Sequence, residues 1–132
     1  MNVLIVGGGG REHAIAAAVA KSPLCQKLFF APGNAGTAAL GENLPLKATD
    51  IDGVAAACRE KGVDYVIVAP DDPLVLGMAD ALEEKGLRVF GPNRKAAMIE
   101  GSKVFAKNLM KKYGIPTARY AVFDNCTSAY EY

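Results

Sequence analysis

Apolar positions in this chain fall into short continuous runs that alternate with longer amphipathic stretches. Val3-Leu4-Ile5-Val6 opens the series, breaks into Gly7-Gly8-Gly9-Gly10, and is followed by the alanine-rich segment Arg11 to Lys21, where Ile15, Ala18 and Val19 share a side. This predicts a buried strand and then a helix stopped at Ser22-Pro23. Lys27 to Phe30 repeats the strand pattern and runs into Ala31-Pro32-Gly33-Asn34-Ala35-Gly36, a composition suited to a tight irregular loop. Asn43 to Lys47 predicts a short strand at a sheet edge, because Pro45 has no N–H for a ladder. Thr49-Asp50-Ile51-Asp52 then signals a helix start, with Ile51, Val54, Ala55 and Cys58 on one face and Gly62 at the end. Tyr65 to Ala69 is continuously apolar, as in a strand covered on both faces. Asp72 as N-cap and Pro73 as first helical residue open a predicted third helix that runs to Lys85, and Leu87 to Phe90 forms the last strand before Gly91-Pro92-Asn93.

Alternating strands and helices of these lengths build right-handed crossovers between parallel strands. The expected fold class is α/β: a doubly wound, mainly parallel sheet of about five strands with helices on both faces. Ligands of such sheets sit beyond the carboxyl ends of the strands. Gly7 to Gly10, Pro32 to Gly36, Asp71 and Gly91 to Asn93 should therefore share one rim. Past Asn93 the alternation stops. Ala96 to Glu100 and Ser102 to Tyr113 predict two helices in succession, the second capped by Ser102 and carrying the stripe Phe105, Leu109 and Tyr113. Tyr120 to Phe123 is expected to open a further strand, and Tyr130-Glu131-Tyr132 a further helix. The expected division is residues 1–100 as one α/β domain and 101–132 as a linker helix and the beginning of another region.

Composition narrows the function classes. Fifteen basic and fourteen acidic residues give a formal charge of +1 over 132 residues, with no basic patch, which argues against a nucleic-acid partner. Cys25, Cys58 and Cys126 lie far apart without metal-binding or redox spacing and read as reduced thiols, Cys58 on the apolar side of its helix. No signal peptide or membrane-length apolar run is evident, so a cytoplasmic setting is expected and no membrane partner.

The glycine loop after the first strand suits an anion. Backbone N–H groups approach closely where side chains are absent, and the helix that follows directs its positive end to the same place. A turn with no ligand fits equally well if the loop is taken alone. A dinucleotide fingerprint fits poorly: its third small position falls on Glu12 or His13, and the second strand ends in Phe30, Ala31 and Pro32 without an acidic residue for a ribose. A P-loop is excluded, since no Gly-Lys-Ser/Thr closes the turn. The second glycine-rich loop on the same rim favours a ligand. Arg11 could reach a phosphate there, whereas His13 reads as an ordinary helix-start histidine. Asp71 could accept hydrogen bonds from sugar hydroxyls or an amine, or be solvated; both readings stay open. Lys103, Lys107 and Lys111 read as the solvated face of a helix.

Taken together, Gly9-Gly10-Arg11-Glu12-His13-Ala14, Ala31-Pro32-Gly33-Asn34-Ala35-Gly36-Thr37, Asp71-Asp72-Pro73-Leu74, Phe90-Gly91-Pro92, Glu100-Gly101-Ser102-Lys103, Phe105-Ala106-Lys107 and Tyr113-Gly114-Ile115-Pro116-Thr117-Ala118 resemble the phosphoribosylamine–glycine ligases of the ATP-grasp superfamily. The resemblance covers nearly the whole chain in order. It implies a Rossmann-like domain preceding an ATP-grasp region, and a full-length enzyme that joins glycine to phosphoribosylamine using ATP and Mg or Mn in purine biosynthesis. It also implies that Gly8, Gly9, Gly10 and Arg11 with Gly33, Asn34, Ala35, Gly36 and Asp71 bind the phosphoribosyl substrate, and that Lys103 reaches the ATP phosphates. Catalytic and metal-binding residues would then lie outside these 132 residues, leaving this chain inactive by itself. Many members have Asn in place of Gly8, and Glu after a Gly where this chain has Asp71 after Ala69. The alternatives are a NAD-binding oxidoreductase domain and a non-catalytic nucleotide-binding module.

Overall fold

The computed structural model describes all residues from Met1 to Tyr132. Two compact units are present, Met1–Ala97 and Met98–Tyr132. The first is built on a five-stranded sheet in the order β3-β2-β1-β4-β5, every pair parallel. Its strands are β1 (Asn2–Gly7), β2 (Lys27–Pro32), β3 (Glu42–Asn43), β4 (Tyr65–Val68) and β5 (Val89–Phe90). They alternate with α1 (Gly10–Val19), α2 (Ile51–Lys61), α3 (Asp71–Val75) and α4 (Met78–Glu84), after which α5 spans Arg94–Gly101. This is the expected doubly wound α/β class.

Period-two alternation sends the apolar strand residues to two separate cores. Leu4, Val6, Phe29, Ala31, Val66 and Val68 pack with Val54, Ala55, Cys58, Met78 and Leu82 from α2 and α4. Val3, Ile5, Leu28 and Phe30 turn to the other face, where Ala16 of α1 meets them. Fully burying a side chain such as Leu4, Ile5 or Leu82 contributes about 1.5–3 kcal/mol. Coverage is unequal: on β4, Val66 and Val68 are buried, but Tyr65 and Ile67 are only half-buried, so the double covering expected from its apolar run holds on one face.

Local signals place the helices. Asp50 accepts the Gly53 N–H at 2.9 Å and caps α2, which ends at Gly62, with the Val63 N–H on the Cys58 carbonyl at 2.8 Å. Two expectations need correction here. The predicted third helix is divided into α3 and α4 at Gly77, whose φ of +91° interrupts the helical hydrogen bonding. It also begins earlier than expected: Pro70 occupies the N-cap position, Asp71 and Asp72 the first turn, and Pro73 the third helical place. Asp72 is therefore no N-cap. Proline is tolerated at Pro73 because first-turn N–H groups have no intrahelical acceptor. The edge strand β3 is only two residues long and ends before Pro45.

The second unit carries α6 (Lys103–Lys112) and α7 (Cys126–Glu131). Ser102 caps α6 as expected, accepting the Phe105 N–H at 3.2 Å. No strand forms at Tyr120 to Phe123, since no neighbouring strand offers it a ladder. The stripe on α6 stays open, with Phe105 44 % and Tyr113 64 % exposed. No helix in the chain is long and apolar enough to cross a membrane.

Candidate functional site

Parallel strands bring the ends of β1, β2, β4 and β5 to one rim, and the first two carry the glycine loops. Gly9 is extended (φ −91°, ψ −179°) and α1 starts directly after it. Glu12, three residues on, folds back beneath the loop: it is 5 % exposed and its Oε2 accepts the Gly9 N–H at 2.6 Å. The first helical bond runs from the His13 N–H to the Gly9 carbonyl at 3.2 Å. The N–H groups of Gly10 and Arg11 have no acceptor within the chain and sit at the positive end of the helix dipole. Glu12 thus lies where a dinucleotide fold keeps a glycine, and packs close to Gly7.

The second loop is fastened to the first. Gly33 donates its N–H to the Gly7 carbonyl at 3.1 Å. Asn34 donates Nδ2 to the carbonyls of Gly8 (3.0 Å) and Gly9 (3.3 Å), while its Oδ1 accepts the N–H groups of Gly36 (2.7 Å) and Thr37 (3.0 Å). All four hydrogen-bonding positions of this carboxamide are occupied, and two carbonyls on one side with two N–H groups on the other fix its orientation. Beneath it, the fully buried Thr37 accepts the Asn34 N–H at 2.7 Å and lies 2.8 Å from Asn43 Oδ1; Asn43 donates to the Asn34 carbonyl at 2.8 Å. The loops approach so closely that a Cβ on Gly8 would stand 2.6 Å from the Gly33 carbonyl oxygen. Gly33 has φ +76°, and a Cβ there would collide with Asn43 Oδ1. His13 rests its ring against Gly36.

The β4 side of the rim is held differently. Arg11 extends from α1 and donates Nη1 to the Ala69 carbonyl at 3.1 Å, joining the first loop to the end of β4. Asp71 and Asp72 are exposed in the first turn of α3 and engage no partner in the chain. Beyond β5, Asn93 caps α5 through the Ala96 N–H at 2.9 Å, and Asp80 accepts the Arg94 N–H at 2.7 Å.

Gly8, Gly9, Gly10, Arg11, Gly33, Asn34, Ala35, Gly36 and Asp71, the residues expected along the rim, lie at the ends of β1, β2 and β4. Glu12, Thr37 and Asn43 join them without being among the expected site residues. Glu12 had a local signal, a glutamate three residues after the helix-start position. Thr37 and Asn43 had none, since their partnership exists only once β3 lies beside β2.

In the second unit, Lys103 begins α6, exposed and without a partner. Lys107 departs from the expected solvated role: it donates to Thr117 Oγ1 (2.5 Å) and the Ala118 carbonyl (3.2 Å) and lies 5.4 Å from the Tyr120 ring centre. No three His, Cys, Asp or Glu side chains gather as a metal donor set. A concavity of about 660 Å³ beside β2 and β3, lined by Gln26, Lys27, Glu42, Glu60 and Lys61 among others, shares no residue with the glycine loops. Its Lys61 ammonium is paired with Glu42 at 2.8 Å.

This fold defines a parallel α/β domain whose strand-end rim carries two interlocked glycine loops. Residues 1–100 match the family described as phosphoribosylglycinamide synthetase, N domain, and the chain belongs to that family. A relative from Mesorhizobium japonicum, phosphoribosylamine–glycine ligase, is 52% identical over 132 residues, which are 100% of this chain and 31% of the relative. The Haemophilus influenzae ligase is 48% identical over 134 residues, again covering 31% of that protein. The chain therefore spans about a third of the length of the relatives it matches. The crystal structure of phosphoribosylamine–glycine ligase from Thermotoga maritima superposes with TM-score 0.64 at 38% identity, over 90% of this chain and 26% of that one.

Proposed function

We propose that the β1–β2 rim binds the phosphoribosyl group of phosphoribosylamine, and that the chain serves as the N-terminal part of a ligase joining glycine to that amine. The observation that carries this reading is the pair of unengaged N–H groups at Gly10 and Arg11, held at the start of α1 by a loop pinned from below by Glu12 and from the side by Asn34. Such a cradle suits a phosphate dianion. The backbones of Gly8, Gly9, Gly10, Gly33, Ala35 and Gly36 form its walls, and the Arg11 guanidinium adds a cation at the edge. Asp71 offers a carboxylate to sugar hydroxyls on the β4 side.

Residues 1–100 act as the substrate domain and residues 101–132 as a linker to the region that completes the site in a full-length ligase. ATP, with Mg or Mn, supplies the phosphoryl group that activates the glycine carboxylate for attack by the substrate amine, giving the amide, ADP and phosphate. Lys103, exposed at the start of α6, is the residue here that would meet the ATP phosphates. On this reading the carboxylates for the metal belong to the region that completes the site, and the 132-residue chain by itself is expected not to ligate. The enzyme works in the cytoplasm and takes no nucleic acid.

Calorimetric titration of the chain with ribose 5-phosphate and, separately, with NADH tests this reading. Heat of binding is expected for the sugar phosphate alone, with no product when glycine, ATP, Mg and phosphoribosylamine are incubated with the chain. Binding of NADH without ribose 5-phosphate would overturn the assignment in favour of a dinucleotide domain, and single-turnover product would overturn the claim of inactivity.

A further inference from the structure

Asn34 stands on the rim as if to contact the ligand, yet its side chain has nothing left to offer one. Both amide protons go to the Gly8 and Gly9 carbonyls, and its oxygen takes the N–H groups of Gly36 and Thr37. The bonds to Gly8 and Gly9 have a directional consequence. Holding these two carbonyls toward the second loop fixes the Gly8–Gly9 and Gly9–Gly10 peptide planes; the second plane carries the Gly10 N–H, and the Arg11 N–H follows one peptide further into α1, both without an acceptor in the chain. Thr37 Oγ1 anchors the Asn34 backbone from a position with no solvent exposure, and Asn43 joins the same group from β3. Glu12 completes the restraint by holding the Gly9 N–H.

We infer that Asn34 is a positioning residue for the phosphate site, acting through the Gly8–Gly9 backbone with Thr37 and Asn43 as its anchors, and that the phosphate is held by the N–H groups of Gly10 and Arg11. The inference rests on the phosphoribosyl reading above. It gives a site in which a side chain on the rim and a side chain that no ligand can touch serve one purpose. Because hydrogen bonds within the chain join the two loops, their arrangement does not depend on contacts to the phosphate.

The test uses the 132-residue chain, ribose 5-phosphate as probe, and the backbone amide resonances of Gly9, Gly10 and Arg11 as readout. In the wild type the probe should shift Gly10 and Arg11. Asn34→Ala should weaken binding about tenfold or more, in keeping with two lost hydrogen bonds. Thr37→Val, near-isosteric and buried, should weaken it about threefold to tenfold, and the double variant should fall short of the product of the two because both act on one loop. Both substitutions should displace the Gly9 to Arg11 resonances before any probe is added, while Val54 and Leu82 in the core keep theirs. Asn43→Ala, at the sheet edge, provides the same measurement if either variant fails to fold. Full binding by Asn34→Ala, or loss on Asn34→Ala with full binding by Thr37→Val, would overturn the inference, the second result showing direct contact by Asn34. If the wild type ignores ribose 5-phosphate, the phosphoribosyl reading fails. The positioning claim is then judged on the free-state resonances, and unchanged Gly9 to Arg11 signals in Asn34→Ala overturn it too.

Discussion

The two halves of the rim are built to different standards. On the β1–β2 side, Glu12, Asn34, Thr37 and Asn43 hold the glycine loops by short hydrogen bonds, and every polar side chain of that group finds its partners within the chain. On the β4–β5 side, Asp71 and Asp72 stand exposed without partners, and a single bond from Arg11 to the Ala69 carbonyl links the halves. A phosphate is a fixed cluster of oxygens, for which preorganised donors avoid reorganisation on binding. Sugar hydroxyls and an amine vary more in position, and an unpaired carboxylate on a helix start can follow them. The difference separates residues that set shape from residues free to make contact.

The harshest way to break the braced half is Gly33→Val. A branched side chain at φ +76° that also meets Asn43 should cost about 2–4 kcal/mol in urea unfolding. Cys58 provides an independent reporter: burial pushes its thiol up to about 11, so at pH 8 it should resist iodoacetamide in the native chain while exposed Cys126 reacts. Gly33→Val should speed labelling of Cys58. The same shift has a sign in stability, since the folded state keeps this proton above the ordinary thiol value of 9.0. The contribution is full below that value and is lost as pH rises toward about 11.

Next in size is Gly10→Val. A Cβ there meets nothing within 4 Å, so the fold and Cys58 protection should be unchanged, yet the side chain would stand at the opening of the cradle. Ribose 5-phosphate binding should fall by about tenfold or more, on the order of 1.4 kcal/mol. Equal binding would move the phosphate away from the start of α1. The smallest effect is expected from the open half: Asp71→Asn should weaken binding about twofold to fivefold, a fraction of a charge-assisted hydrogen bond at an exposed position, with no change in urea midpoint. A loss larger than that of Gly10→Val would invert the comparison and make the carboxylate the main anchor.

Most of the architecture could be read from local pattern. Val3 to Val6 and Tyr65 to Val68 are strands, Asp50 and Ser102 are caps, and Gly62 ends a helix because each is decided within a few residues. The exceptions are equally local in cause. Gly77 divides a helix that its neighbours would have continued, and Pro73 falls inside a first turn instead of opening it. At Tyr120 to Phe123 an apolar pattern met no partner strand, so strand propensity had nothing to express.

The amino-acid sequence by itself determined which loops share the rim, because parallel β-α-β connectivity leaves one side of the sheet for all strand ends. It also made the first loop a poor match to a dinucleotide fingerprint, since Glu12 is present whatever the fold. Only the tertiary structure decided what Asn34, Thr37 and Asn43 do. Their roles depend on β3 lying beside β2 and on the two loops touching at Gly8 and Gly33, contacts between residues up to 26 positions apart. Hydrogen bonds of that range carry no periodicity and no local composition, and exist only after the chain has closed on itself.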